Sequence, residues 1–216
     1  MAAPVSARKR SRRGGRPTLE EAAQLDHDVR EHALDLFLER GYEGTSMDAI
    51  AHAAGTTKAS LYVRFPSKEA VFQDVLVWAS RRSDWPMPEP DPPDLDELED
   101  ALSFIAHAAV RRALDPSMIK LSRIAVAQAH RFPELVRKTQ AAIVWPRQQV
   151  VASLLRRHAA AGTIVADDPE LLAELFLGLV AGVPARLASF GTVRDAAAQE
   201  QHTQAALWMF LRGLRP

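Results

Sequence analysis

The chain has 216 residues, 47% of them hydrophobic and 25% charged, with 27 basic side chains against 27 acidic ones and no cysteine. That length buries one large or two small cores, and the composition is that of a globular protein rather than a disordered one. The missing cysteines exclude disulfides, thiolate zinc sites and cysteine nucleophiles, and suit a reducing compartment.

The zero net charge hides segregation. Residues 1–17 carry Arg8, Lys9, Arg10, Arg12, Arg13 and Arg16 with no acid, whereas residues 84–100 carry Asp84, Glu89, Asp91, Asp94, Asp96, Glu97, Glu99 and Asp100 with no base. No apolar run follows the basic stretch, and Gly14, Gly15 and Arg16 follow the Arg12-Arg13 pair where an export signal would be hydrophobic, so a cytoplasmic protein is expected. Residues 1–18 read as a flexible basic arm suited to phosphates or a minor groove, or else as a solubilising tail.

From Asp26 to Arg40, Val29, Ala33, Leu36 and Phe37 recur at helical spacing, and Gly41 should end that helix. Thr45 or Ser46 can cap a second helix, with Asp48 at its positive end and Met47, Ile50, Ala51 and Ala54 on its apolar face. Gly55 supplies the left-handed residue that stops it, and Thr56 or Thr57 can cap a third helix running from Lys58 to about Arg64. Leu61 and Phe65 of that helix face inward, leaving Lys58, Ser60 and Tyr62 outward. Two short helices crossing closely over a small residue form a helix-turn-helix, whose outward lysine, hydroxyls and tyrosine suit phosphates and base edges. Pro66 closes it. Ser67 caps a fourth helix striped with Val71, Phe72, Val75, Leu76 and Ala79, and Lys68 opposes the dipole in its first turn, which suits a phosphate shared with that helix end.

The segment GYEGTSMDAIAHAAGTTKASLYVRFPSKEAVF, within residues 26–76, resembles the DNA-binding domain of the TetR family of bacterial transcriptional regulators. The resemblance rests on the Gly-Thr-Ser before the second helix, the Ala-Gly turn, the Lys-x-x-Leu-Tyr-x-x-Phe recognition helix and the Ser-Lys-Glu-x-x-Phe entry to the fourth. It implies an all-α homodimer that binds a palindromic operator, usually as a repressor, and a small molecule through a divergent C-terminal domain. Thr45, Ser46 and Thr57 would then reach phosphates or base edges, Lys58, Ala59 and Ser60 would face the groove, Tyr62 and Lys68 would clamp the backbone, and Arg16 would come from the arm. Thr56 departs from the apolar residue usual in the turn. Arg64 stands where histidine or tyrosine is usual, and still donates to phosphate.

Pro86, Pro88, Pro90, Pro92 and Pro93 exclude helix and mark an acidic linker, so the expected division is 19–82 for DNA binding and 83–216 for ligand binding and dimerisation. Asp94 should cap the next helix, Asp115-Pro116 open another, and Phe132-Pro133 start a long one that Pro146 kinks or breaks. The run SMIKLSRIAVAQAHRFPEL resembles the C-terminal domain of the AefR-like branch. Asp168-Pro169 opens a helix apolar nearly all round, with Gly178 and Gly182 four apart and Pro184 interrupting any membrane span, and the last helix carries Leu207, Trp208, Met209, Phe210 and Leu211. Such helices need cover on two sides, so Leu175, Gly178, Leu179, Gly182, Trp208 and Leu211 are expected at an isologous four-helix dimer interface.

The whole reads as an all-α protein of about nine helices, a three-helix helix-turn-helix domain followed by a helical bundle. A small hydrophobic or aromatic effector is expected among His107, Met118, Arg123, Gln128, Gln140, Trp145 and Phe176, between the helices beginning at Asp94, Asp115 and Phe132. The seven histidines show no metal-ligand spacing, and no P-loop, nucleophile elbow or paired carboxylates occur, so no enzyme, cofactor, metal or membrane partner is expected. The alternative is a helical interaction module that does not bind DNA, and salt-dependent duplex binding separates the two.

Overall fold

The fold is described by a computed structural model for residues 19–81 and 97–215, with side chains described there except at 19, 80, 81 and 135–145. The arm with Arg16 and the linker with its expected Asp94 cap and domain boundary lie outside those residues. Among the described residues every regular element is helical: α1 (Leu19–Gly44), α2 (Met47–Ala53), α3 (Lys58–Arg64), α4 (Lys68–Arg81), α5 (Leu98–Ala113), α6 (Pro116–Gln128), α7 (Pro133–Ala160), α8 (Pro169–Leu177), α9 (Val183–Ser189) and α10 (Ala196–Gly213). A single π turn, Gly178–Gly182, joins α8 to α9 in one rod, giving nine rods in this region.

Local chemistry sets the helix ends. Gly41 takes a left-handed φ of 70° and breaks α1 before its last turn, and Gly55 does the same at 63° between α2 and α3. Ser46, Thr57, Ser67, Asp115, Asp168 and Asp195 each cap a helix by accepting a backbone N–H. Of the kink or break expected at Pro146, the break does not occur. The helix continues through it, because α7 packs along both α4 and α8, and that burial offsets the roughly 3 kcal/mol an interior proline costs.

Two hydrophobic cores result. The first gathers Val29, Ala33, Leu34 and Phe37 of α1, Ile50 and Ala51 of α2, Leu61 of α3 and Val71, Phe72, Val75 and Leu76 of α4. It also takes in Leu121 of α6 and Phe132 at the start of α7, so the N-terminal domain is completed by residues far along the chain. The Tyr42 ring lies 5.0 Å from Phe72 and 5.7 Å, edge to face, from Phe132. The second core joins Leu102 and Ala106 of α5, Val151 and Leu155 of α7, Phe176 of α8, Val180 of the π turn and Leu207 and Phe210 of α10.

Pro184 does not shorten the eighth rod, because the π turn precedes it and its ring stands in the first turn of α9, where the missing N–H costs little. The rod Pro169–Ser189 is 21 residues long and contains an 18-residue stretch with a mean hydropathy of 1.7, enough by length and composition to cross a membrane, contrary to the expectation from sequence. One of its faces is committed to the protein's own core through Ala173, Phe176, Val180, Pro184 and Ala188. The opposite face presents Leu171, Leu175 and Leu179.

Candidate nucleic-acid interface

α2 and α3 cross over Ala51 and Leu61, both buried, and Leu61 pins the short α3 to the first core. Truncating that leucine would cost about 3 kcal/mol, enough to detach a seven-residue helix that has little stability of its own. The remaining α3 residues divide into those tied to the protein and those facing out. Lys58 pairs with Asp48 of α2 at 2.9 Å, and that hydrogen bond and charge raise its pKa above the usual lysine value. Arg64 donates from Nε to Asp26 of α1 at 2.6 Å and lies 3.4 Å from the Ser60 hydroxyl. The arginine expected on phosphate therefore fixes the angle of α3 against α1.

Two further residues expected on DNA are engaged within the protein. Thr45 is only 2% exposed, and its hydroxyl turns inward to donate to the Gly41 carbonyl at 2.8 Å, with the Leu36 carbonyl 3.2 Å away. The Gly41 carbonyl is left without its helical partner, because the Thr45 N–H turns to the Tyr42 carbonyl beyond the break, and the Thr45 hydroxyl satisfies it. Lys68 donates from Nζ to the Tyr42 carbonyl at 2.8 Å and sits 4.3 Å from the centre of the Tyr42 ring, so its ammonium ties the start of α4 to the end of α1. Ser46, Thr57, Ala59 and Tyr62 are exposed, with Ser60 partly so, and they form one face with the paired Lys58. Val63, absent from the expected set, is 85% exposed on the same face.

This sorting separates two substitutions. Tyr62→Ala, at a side chain 43% exposed, should weaken duplex binding about tenfold without moving the melting temperature, as loss of one phosphate contact does. Lys68→Ala should instead cost about 1–2 kcal/mol of stability, or about 4 °C in melting temperature. Thermal unfolding beside fluorescence anisotropy checks both; an unshifted melting temperature for Lys68→Ala would return that lysine to the DNA face.

The residues expected around an effector stand in different settings where their side chains are described. His107 of α5 lies 2.7 Å, through Nδ1, from the Ser103 carbonyl and 3.0 Å, through Nε2, from Glu200, which turns it toward α10. Arg123 of α6 donates to the Ala188 and Ser189 carbonyls at 2.8 Å each, capping the end of α9 from outside. Phe176 is fully buried against Phe210, a core residue rather than a pocket wall. Met118 and Gln128 are half-buried on α6, and the side chains of Gln140 and Trp145 lie outside those described. A groove of about 440 Å³ runs along α7, lined by Gln149, Val150, Ser153, Leu154 and Arg157, none of them expected. Sequence reasoning also passed over Arg112 of α5 and Arg147 of α7, whose pKa values burial lowers, with Asp115 opposing the effect at Arg112. A basic residue within an amphipathic pattern gives no sign of burial.

Most of the residues expected at a dimer interface are exposed in the single chain. Leu175, Leu179 and Trp208 are exposed, Gly178 and Gly182 stand on the same surface of the rod, and Leu211 is half-buried. Arg212 covers one face of Trp208 at 4.5 Å.

Comparison with known proteins places both halves. Residues 29–75 match the bacterial regulatory proteins of the tetR family, and residues 100–214, more than half of the chain, match the C-terminal domain of the AefR-like transcriptional repressors. IcaR of Staphylococcus aureus, a negative transcriptional regulator of the biofilm operon icaADBC, is 44% identical over 43 residues, which is 20% of this chain and 23% of IcaR. The transcriptional regulator RutR of Escherichia coli K12 is 48% identical over 44 residues, 20% of this chain and 21% of RutR. These two alignments therefore span under a quarter of either relative. Among solved structures, the flavonoid-responsive regulator FrrA is 33% identical with a TM-score of 0.73, over 90% of this chain and 98% of FrrA. A regulator from Mesorhizobium loti MAFF303099 is 26% identical with the same TM-score of 0.73, over 90% of this chain and 98% of its own. The chain belongs to the TetR family of transcriptional regulators, with a helix-turn-helix DNA-binding domain and a C-terminal domain of the AefR-like type.

Proposed function

We propose that this regulator represses transcription as a cytoplasmic homodimer on a palindromic operator and releases it when a small aromatic effector enters the C-terminal domain. The observation that carries the reading is the apolar surface of Leu171, Leu175, Leu179, Trp208 and Met209 on α8, the π turn and α10. Exposed apolar side chains of that number are a poor surface for water and a good one for a second copy, since a two-fold axis sets identical helices against each other. Two subunits joined there carry two copies of α3, which suits half-sites one helical turn apart. Repression is supported by IcaR's negative regulation and by the AefR-like domain match. The division of labour follows: residues 1–18 as basic arm, 19–82 on DNA, 83–216 for effector and partner.

An aromatic effector is supported by FrrA, which responds to flavonoids. Arg112 is buried on α5 and Arg147 half-buried on α7, two of the helices expected to flank it, and a guanidinium shielded from water favours a phenolate or carboxylate. Selection of bound duplexes from a random pool tests the reading as a whole. Enrichment of an inverted repeat with half-sites about ten base pairs apart is expected, and a single unrepeated half-site would overturn the homodimer. Deleting residues 1–16 should lower affinity for the selected duplex and flatten its dependence on salt, because fewer counterions are released. An unchanged salt slope would reduce the arm to a solubility tail.

A further inference from the structure

The centre of the DNA-reading face of α3 is apolar. At about 100° per residue, Ala59 and Val63 point almost directly away from the buried Leu61, one on either side, and being four apart they are neighbours on one surface. The cations that flank them are engaged elsewhere, Lys58 with Asp48 and Arg64 with Asp26. Neither is posed for the two-pronged contact with guanine that lysine and arginine otherwise make.

Single exposed apolar side chains are ordinary on protein surfaces. Val63 differs in that nothing in the fold asks for valine there. Its side chain is 85% exposed, and a β-branched residue is a poorer helix former than alanine in a helix of seven residues. Major-groove edges offer one feature that such a surface reads, the C5-methyl group of thymine. We propose that Ala59 and Val63 form a shallow apolar cleft that receives a thymine C5-methyl in each operator half-site, so that this regulator selects its site by methyl contact at the centre of α3. The proposal rests on DNA binding by this domain and adds the base and the atom that it reads. Tyr62 and Ser60, on either side of the cleft, supply the hydrogen bonds that set its register against the duplex.

The experiment uses the full chain and a duplex enriched by it from a random pool. Each thymine is replaced in turn by 2′-deoxyuridine, which keeps pairing and removes only the methyl group. One thymine per half-site should be found whose replacement weakens binding about fourfold, the ratio that one methyl group withdrawn from water corresponds to. The Val63→Ser protein, matched to the parent by its melting temperature, should bind the thymine and deoxyuridine duplexes nearly equally. Two results overturn the proposal: no deoxyuridine position costing as much as about twofold, or a cost that persists undiminished in both Val63→Ser and Ala59→Ser. Failure to enrich any duplex would refute DNA binding itself, and the proposal with it, and is distinguished by occurring before any thymine is replaced.

Discussion

Gly178→Leu should leave the subunit folded and abolish the dimer. Gly178 has ordinary helical angles, φ −61° and ψ −43°, and a Cβ built there meets no atom within 4 Å, so the monomer has room for a side chain. Leucine in a helix is also favoured over glycine by several tenths of a kcal/mol, which stabilises the isolated subunit. A second copy laid on this face, with helices crossing closely over small residues, has no such room. The expected result is sedimentation as a monomer with an undiminished melting temperature, and operator affinity lower by on the order of 100-fold because only one half-site is engaged at a time. Trp208→Asp, at a side chain 59% exposed, should do the same by placing a charge at the interface. A wild-type protein that sediments as a monomer at micromolar concentration would sink the dimer, and a dimeric Gly178→Leu would move the interface to another face.

What could be read from sequence was what local chemistry decides. Ser46, Thr57, Asp115 and Asp168 cap the helices that their spacing indicated, and Gly55 takes the positive φ that the turn demanded. The apolar surface on α8 and α10 was legible for a related reason. A helix apolar on every side must be covered twice, and only one side can face its own core.

The polar and charged residues were least legible where their partners stand far along the chain. Lys68 reaches Tyr42, 26 residues earlier, and Arg123 reaches Ala188, 65 residues later. Arg64 meets Asp26 across 38 residues. A motif gives the side of the helix on which such a residue stands but not whether a neighbouring element has already engaged its charge. Thr45 shows the same limit at short range, since its hydroxyl is needed by the Gly41 carbonyl that only the break at Gly41 exposes. Two of the polar groups expected around an effector, Arg123 and His107, have partners on α9 and α10 that the sequence could not indicate.

Replacing Phe132 by alanine should damage the DNA-binding domain more than its place in the sequence suggests. The ring belongs to the first core although it opens α7, and it packs edge to face on Tyr42. Arg131 beside it stacks 5.0 Å from the Phe132 ring and pairs with Glu43 at 3.2 Å, and Lys68 holds the Tyr42 carbonyl from the other side. Truncating a buried phenylalanine costs about 3 kcal/mol, here about 9 °C in melting temperature. The same joint offers a mechanical route between the domains, because α6, just before it, sets Leu121 into the first core while Arg123 grips the end of α9. A small molecule found to raise the melting temperature of the wild type and to weaken operator binding must itself be weakened by operator by the same factor, as linkage requires. In Phe132→Leu, which keeps the apolar volume and loses the ring contact, that molecule should still bind while the factor falls toward one. Isothermal titration of the molecule with and without operator measures it; a factor unchanged in the leucine variant would show that the signal crosses elsewhere.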